Sequence, residues 1–392
     1  MTRVGFVLSY TDSGWTGGIN YLSNLLHAIA QVPDRRIEPV LVVAPEAPAT
    51  LLANFPSQWT VLRTVLADGE HRGWRVARKL TERGLGRDLP MSRFLREQRI
   101  DVLSHSGQLG ARASLPTIGW LPDFQHRRMP EFFKPAEIAA RDRGYRRVTS
   151  QCSTVLLSSA DAQCDLATFA PAAVANSRVL QFVSGFAGGA TPVALEADLR
   201  ERYGVNGPYF HLPNQFWAHK NHRVVIDALA ELKARGRDAL VLCTGHTQDR
   251  RQPEHFGELM RHAAQQGVAD SFRVLGLVPY ADLAGLMRHA AAVINPSLFE
   301  GWSTTVEESK SLGLRIVLSD IAVHREQAPA RGLFFDPREP TTLADALIRV
   351  LDSHSPAAEH ERQTQARAEL PARFADFGAT YQRIVLDTVA RG

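Results

Sequence analysis

One pattern constrains this chain more than any other. A short apolar run, a loop, an amphipathic helix and a second apolar run follow one another, and the series occurs twice. Val4–Ser9 reads as a buried strand, with Gly14, Gly17 and Gly18 after it. Ile19–Ala30 then sets Ile19, Leu22, Leu25, Leu26 and Ile29 on one helical face, and Val40–Ala44 is the next strand. Further strands are expected at Val102–Ser104, Pro116–Leu121, Val155–Leu157 and Val179–Phe182. The second series opens with a strand at Tyr209–Leu212, a loop at Asn214–Asn221, a helix at Arg223–Ala234 and a strand at Ala239–Thr244. Arg273–Leu275, Ala292–Asn295 and Arg315–Leu318 complete it. Strand–helix–strand order implies a parallel sheet, so the expectation is α/β: two doubly wound, Rossmann-like domains facing each other across a cleft. The length of 392 residues suits two domains that each bury a core. The glycine-, alanine- and proline-rich stretch Phe186–Ala197 marks the boundary, dividing 1–190 from 191–372.

Composition excludes several classes. With 44% hydrophobic and 22% charged residues the chain is of the soluble globular kind, and a net charge of +4 gives no reason to expect nucleic acid. Three cysteines, Cys152, Cys164 and Cys243, form no CxxC pair and no metal spacing, which fits a reducing compartment. No apolar run approaches the ~20 residues of a membrane span, and the short run Val4–Leu8 is too brief for a signal peptide. A cytoplasmic location is expected, with a peripheral contact at the inner face of the membrane as an addition. That contact would run through Arg72–Arg99, where nine Lys or Arg residues and three acidic ones interleave with Trp74, Val76, Leu80, Leu85, Phe94 and Leu95. Such a surface can lie on anionic lipid, or it can be a solvated helical face.

The most informative stretch is Ile294–Gly313, INPSLFEGWSTTVEESKSLG. Pro296 stops the strand, because proline has no N–H to donate. Glu300 and Gly301 then fall in the loop at the strand's carboxyl end, where doubly wound sheets bind ligands. Ser303 is a good N-cap for a helix from Thr304 to Leu312. The amides of Ser303, Thr304 and Thr305 would be unpaired at the positive end of that helix, a phosphate site that needs no metal. Glu308 in the second turn can accept the two hydroxyls of a ribose, with Glu307 as its competitor, and Glu300 can accept hydroxyls of a sugar.

Glu300 and Glu308 have seven residues between them, and PSxFEGxxxxxxE resembles the signature of family 4 glycosyltransferases, with Asn295-Pro296-Ser297 before it and Gly313 after. The resemblance implies the two-Rossmann-domain GT-B fold and transfer of a hexose from a nucleotide-diphosphate sugar, with no cofactor or metal and with retention at the anomeric carbon. It assigns Glu300 to the donor sugar and Glu308 to the ribose. It also implies a glycan or lipid-linked acceptor of polysaccharide or cell-envelope type. In the second loop, HLPNQFWAHKNH from His211 to His222, Lys220 matches the family's diphosphate-binding Lys. Gln215 stands where the family has an Arg. Gln can hydrogen-bond a phosphate but cannot neutralise it, so the missing charge must come from His219, His222, Arg127 or the helix dipole.

Other positions carry the resemblance more weakly. Gly17 and Gly18 match the glycine loop that packs beside donor and acceptor, or make a simple tight turn. His126, in Gly119–His126, is the candidate for orienting sugar or acceptor, with Asp123 on the same edge. Gly245 and Val278-Pro279-Tyr280 match the base pocket, or are ordinary turns. Arg373–Val389 resembles the closing helix that returns to the N-terminal domain, the alternative being a helix packed on its own domain. No Ser-His-Asp set, Walker loop or glycosidase carboxylate pair occurs, so transfer would proceed by positioning and electrostatics. Two further readings stay open: a sugar-nucleotide epimerase of the same fold, and a non-catalytic binding subunit, which only Gln215 favours. A nicotinamide-dependent dehydrogenase is disfavoured, since the first loop lacks GxGxxG.

Overall fold

The structure is a computed structural model that describes residues 1–8, 16–69, 71–106, 109–185 and 194–391. Among these, thirteen strands form two sheets, every adjacent pair parallel. The first sheet holds β1 (Thr2–Leu8), β2 (Ile37–Val43), β3 (Thr60–Arg63), β4 (Val102–Ser104), β5 (Thr117–Leu121), β6 (Thr154–Leu157) and β7 (Ser177–Val179). The second holds β8 (Phe210–Leu212), β9 (Val241–Thr244), β10 (Phe272–Gly276), β11 (Ala292–Asn295), β12 (Ile316–Ser319) and β13 (Gly332–Phe335).

The strand orders are β3-β2-β1-β4-β5-β6-β7 and β10-β9-β8-β11-β12-β13. Both reverse direction beside their first strand, between β1 and β4 and between β8 and β11. These are the switch points at which doubly wound sheets open a crevice. Central strands such as β6, β9, β11 and β12 are buried along their whole length. That is why they read as continuous apolar runs rather than alternations.

The chain divides into two compact units. The first comprises 1–124, 135–183 and 371–392; the second comprises 125–134 and 184–370. The expected boundary stretch lies largely outside the described residues, and the division falls between Val183 and Ser184. The short segment Gln125–Lys134, embedded in the first half of the sequence, groups with the second unit. The last helix runs Pro356–Arg391 with Pro371 inside it, and from Pro371 onward its residues group with the first unit. There Tyr381 is fully buried and donates to Ser104 Oγ at 2.7 Å, Thr388 meets Thr154 at 2.8 Å, and Gly378 lies too close to the Ala28 carbonyl for any Cβ. No helix among the described residues is long and apolar enough to cross a membrane.

One sequence expectation changes. The first helix spans Thr16–Ala30, so Gly17 and Gly18 belong to its first turn and not to the preceding loop. First-turn amides have no intrahelical acceptor wherever the helix begins, so glycine there breaks no helical hydrogen bond. Gly14 lies outside the described residues. The basic segment is two helices, Arg72–Leu85 and Leu89–Glu97, separated at Gly86, whose φ of 69° ends the first. Trp74 and Leu95 point into the core.

Candidate functional site

The two segments singled out in the sequence follow β8 and β11, the strands that flank the second sheet's switch point. Their loops are bonded together. Leu298 N–H donates to the His219 carbonyl at 2.8 Å. The buried Asn214 amide donates to Asn295 Oδ1 at 3.1 Å, and Thr305 Oγ1 donates to Asn214 Oδ1 at 3.4 Å. Asn295 Nδ2 in turn donates to Ser303 Oγ at 2.8 Å. The loop after β9 joins them, since Phe216 N–H donates to the His246 carbonyl at 3.0 Å. Gly245, with φ of 141°, lies so near Asn214 that a Cβ would sit 2.6 Å from its carbonyl oxygen. A side chain there would force the two loops apart.

Lys220 ends a single 3₁₀ turn, Ala218–Lys220, and its Nζ donates to Glu300 Oε1 at 2.6 Å. The two side chains are 15% and 11% exposed, so the pair is largely withdrawn from water. Burial pushes the Glu300 carboxyl up, but the Lys220 ammonium outweighs it, helped by Ser297, whose Oγ lies 2.7 Å from Oε1, and holds it at about 2. Glu300 is therefore ionised throughout the physiological range.

The helix Thr304–Leu312 begins and ends as its sequence dictates. Ser303 caps it by accepting from Val306 N–H at 3.3 Å, and Gly313 closes it with φ of 67°. One amide of the expected trio is occupied: Ser303 N–H donates to Gln327 Oε1 at 3.2 Å, while Gln327 Nε2 donates to the Ser303 carbonyl at 3.0 Å. Thr304 and Thr305 remain as first-turn donors without intrahelical acceptors. Glu307 is buried and held by Gln327 Nε2 at 3.0 Å and Lys310 Nζ at 3.1 Å. Glu308, half-buried, receives a 3.4 Å hydrogen bond from Ser184, and burial raises its carboxyl to about 7.

Two of the groups that could supply the charge Gln215 lacks are neutral. His219 and His222 are buried, and burial, aided by the positive groups around them, lowers both to about 3. His222 stacks on Phe216 with centroids 4.2 Å apart. Neither ring carries charge near neutral pH, so neither replaces an Arg. Arg127 is exposed on the short helix Gln125–Arg128. Its neighbour Arg128 lies 5.9 Å over the Phe299 ring. His126, the candidate for orienting sugar or acceptor, is fully buried and lies edge-on to Phe133.

In the first unit, Gly17 is exposed at the start of its helix, and Asp123 is half-buried, its carbonyl accepting from Tyr145 at 2.9 Å. Pro279 precedes the helix Tyr280–Arg288, with Tyr280 exposed. Among the described residues no cluster of three metal-ligating side chains occurs.

Three site residues were not legible in the sequence. Gln327 fixes the cap of the Thr304–Leu312 helix from another element. Ser319 Oγ donates to the Ser297 carbonyl at 2.5 Å. His324, fully buried, sets its Nδ1 2.9 Å from the Ser319 carbonyl behind the Glu300 loop. Each acts across strands, and only the tertiary fold brings such partners together.

Residues 210–353 match the family described as Glycosyl transferases group 1. No curated protein matches the chain in sequence. The fold is shared with HepE of Anabaena, crystallised with UDP and glucose, at a TM-score of 0.67, 16% identity and full coverage of both chains. It is shared with sucrose-phosphate synthase of Thermosynechococcus elongatus at a TM-score of 0.72, 13% identity and full coverage of both. A glycosyltransferase of Rickettsia africae aligns at a TM-score of 0.66 and 14% identity, over 100% of this chain and 98% of that one. The chain thus has the GT-B fold, and its stretch from β8 to the helix Pro340–Asp352 is similar to group 1 glycosyl transferases, which supports a nucleotide-sugar glycosyltransferase.

Proposed function

We propose that this protein transfers a hexose from a nucleotide-diphosphate sugar to a hydroxyl of a glycan or lipid-linked acceptor, without a metal and with retention of anomeric configuration. One observation carries the reading. Lys220, bonded to Glu300, and the start of the Thr304–Leu312 helix, which carries Glu308, follow the two strands at the switch point of the region that matches group 1 glycosyl transferases.

On this reading the amides of Thr304 and Thr305 and the helix dipole hold the diphosphate, with Gln215 donating a neutral hydrogen bond. The diphosphate competes with Glu300 for the Lys220 ammonium. Its arrival frees the carboxylate to accept sugar hydroxyls, while Glu308 accepts the ribose. Gly245 keeps the loops close enough for the base to enter beside them. The bond from the anomeric carbon to the phosphate oxygen breaks as the acceptor oxygen bonds to the same face. The acceptor proton passes to the departing diphosphate. UDP and glucose are bound by HepE, and UDP-glucose is accordingly the first donor to try.

The test is a panel of UDP-, GDP-, dTDP- and ADP-sugars, scored by release of nucleoside diphosphate, with the product anomer read by NMR. Diphosphate release from one donor and a product of unchanged anomeric configuration are expected. An inverted product would remove retention. Epimerised nucleotide sugar without transfer would replace the transferase by an epimerase.

A further inference from the structure

We infer that the helix Arg72–Leu85 of the first unit is a docking surface for an anionic lipid bilayer. The inference is independent of the donor chemistry proposed above. At the ~100° per residue of an α-helix, Arg75, Lys79, Arg83, Val76 and Leu80 fall within an arc of about 140°. All five are exposed, Val76 at 57% and Leu80 at 66%. Away from this face lie Trp74, buried in the core, and Arg78 and Thr81, with Glu82 at the edge beside Arg75. Glu82 is the helix's one carboxylate, and it is taken up by Arg78 at 2.9 Å and by Arg147 at 2.7 Å. Among the described residues Arg75, Lys79 and Arg83 make no ion pair.

Three uncompensated cations thus lie along one flank of the face and two aliphatic side chains along the other, with exposed Gly73 and Gly84 beyond Leu80. A solvated helix gains nothing from Val76 and Leu80 one turn apart in water. An interfacial helix uses them to enter the acyl boundary while its cations meet lipid phosphates. Charge complementarity selects the occupant. Each cation near an anionic surface raises partition about fivefold, so three together contribute roughly a hundredfold. Burying each of the two aliphatic side chains adds on the order of tenfold.

The full-length protein is sedimented with vesicles of phosphatidylcholine containing phosphatidylglycerol, and with vesicles of phosphatidylcholine alone. Binding to the first and not the second is expected. R75E/K79E/R83E should abolish it, and V76S/L80S should weaken it at least tenfold. All five positions are solvent-exposed, so unchanged thermal melting verifies that the variants fold. Absence of binding to the anionic vesicles overturns the inference. So does full binding by V76S/L80S, which would make the face a site for soluble polyanions instead.

Discussion

The Lys220–Glu300 pair is where the structure makes its most exacting demand. A carboxylate held at about 2 rather than the usual 4.5 is favoured in its ionised form by about 3 kcal/mol, at 1.36 kcal/mol per tenfold. Because the folded value is depressed, this stabilisation is fully present above pH 4.5 and is lost as the pH falls through 2. Lys220→Met keeps the aliphatic stem and removes the charge, leaving a nearly buried carboxylate alone. Such a change destabilises by about 3–5 kcal/mol unless the acid takes up a proton. We expect a loss of about 3 kcal/mol at pH 7 for Lys220→Met. The double variant K220M/E300Q should lose clearly less than the two single losses together, with a coupling of about 2–3 kcal/mol. The assay is urea unfolding of the four proteins of the cycle, read by tryptophan fluorescence and compared transition by transition. A coupling below about 0.5 kcal/mol, the range of exposed surface pairs, would refute the buried pair and the ligand exchange built on it.

Other consequences follow from the same geometry. Glu308→Gln should weaken binding of a nucleoside diphosphate about tenfold or more, as loss of charged hydrogen bonds does; unchanged affinity would move the ribose elsewhere. Since burial raises Glu308 to about 7, nucleotide affinity of the wild-type protein should fall more steeply than that of Glu308→Gln as the pH drops from 8 to 6, the ligand's own phosphate titration being common to both; calorimetric titration across that range decides it. Gly245→Ala should destabilise by at least about 2 kcal/mol, because its Cβ would meet the Asn214 carbonyl; an unchanged melting temperature would show that the loops are not locked together. Added EDTA should leave turnover intact, and a sharp loss would bring a metal into the mechanism.

Much of this architecture was readable in the sequence, for physical reasons. Strands buried on both faces must be continuously apolar, and Val40–Val43, Val155–Leu157 and Ala292–Ile294 are. The edge strand β3 has no such signal, because its TVLR is mostly exposed. The cap at Ser303 and the stop at Gly313 were legible because capping is a local interaction. Gln327 was not, since its bonds to Ser303 cross to a separate helix, Ala322–Gln327. The neutrality of His219 and His222 was hidden for a related cause. A loop sequence rich in histidine looks like available charge until burial against Phe216 and its neighbours is known. Nor does a list of residue types disclose that Lys220 and Glu300 hold each other.

The central claim, that the second unit grips the diphosphate and ribose of a sugar donor, is tested most directly by calorimetric titration of UDP, GDP, dTDP and ADP into the wild-type protein, Lys220→Ala and Glu308→Gln. The account predicts that one diphosphate binds the wild type with a Kd in the micromolar range usual for substrates, and that each substitution weakens it about tenfold or more. Equal affinity in all three proteins, or no binding of any of the four nucleotides, would contradict it.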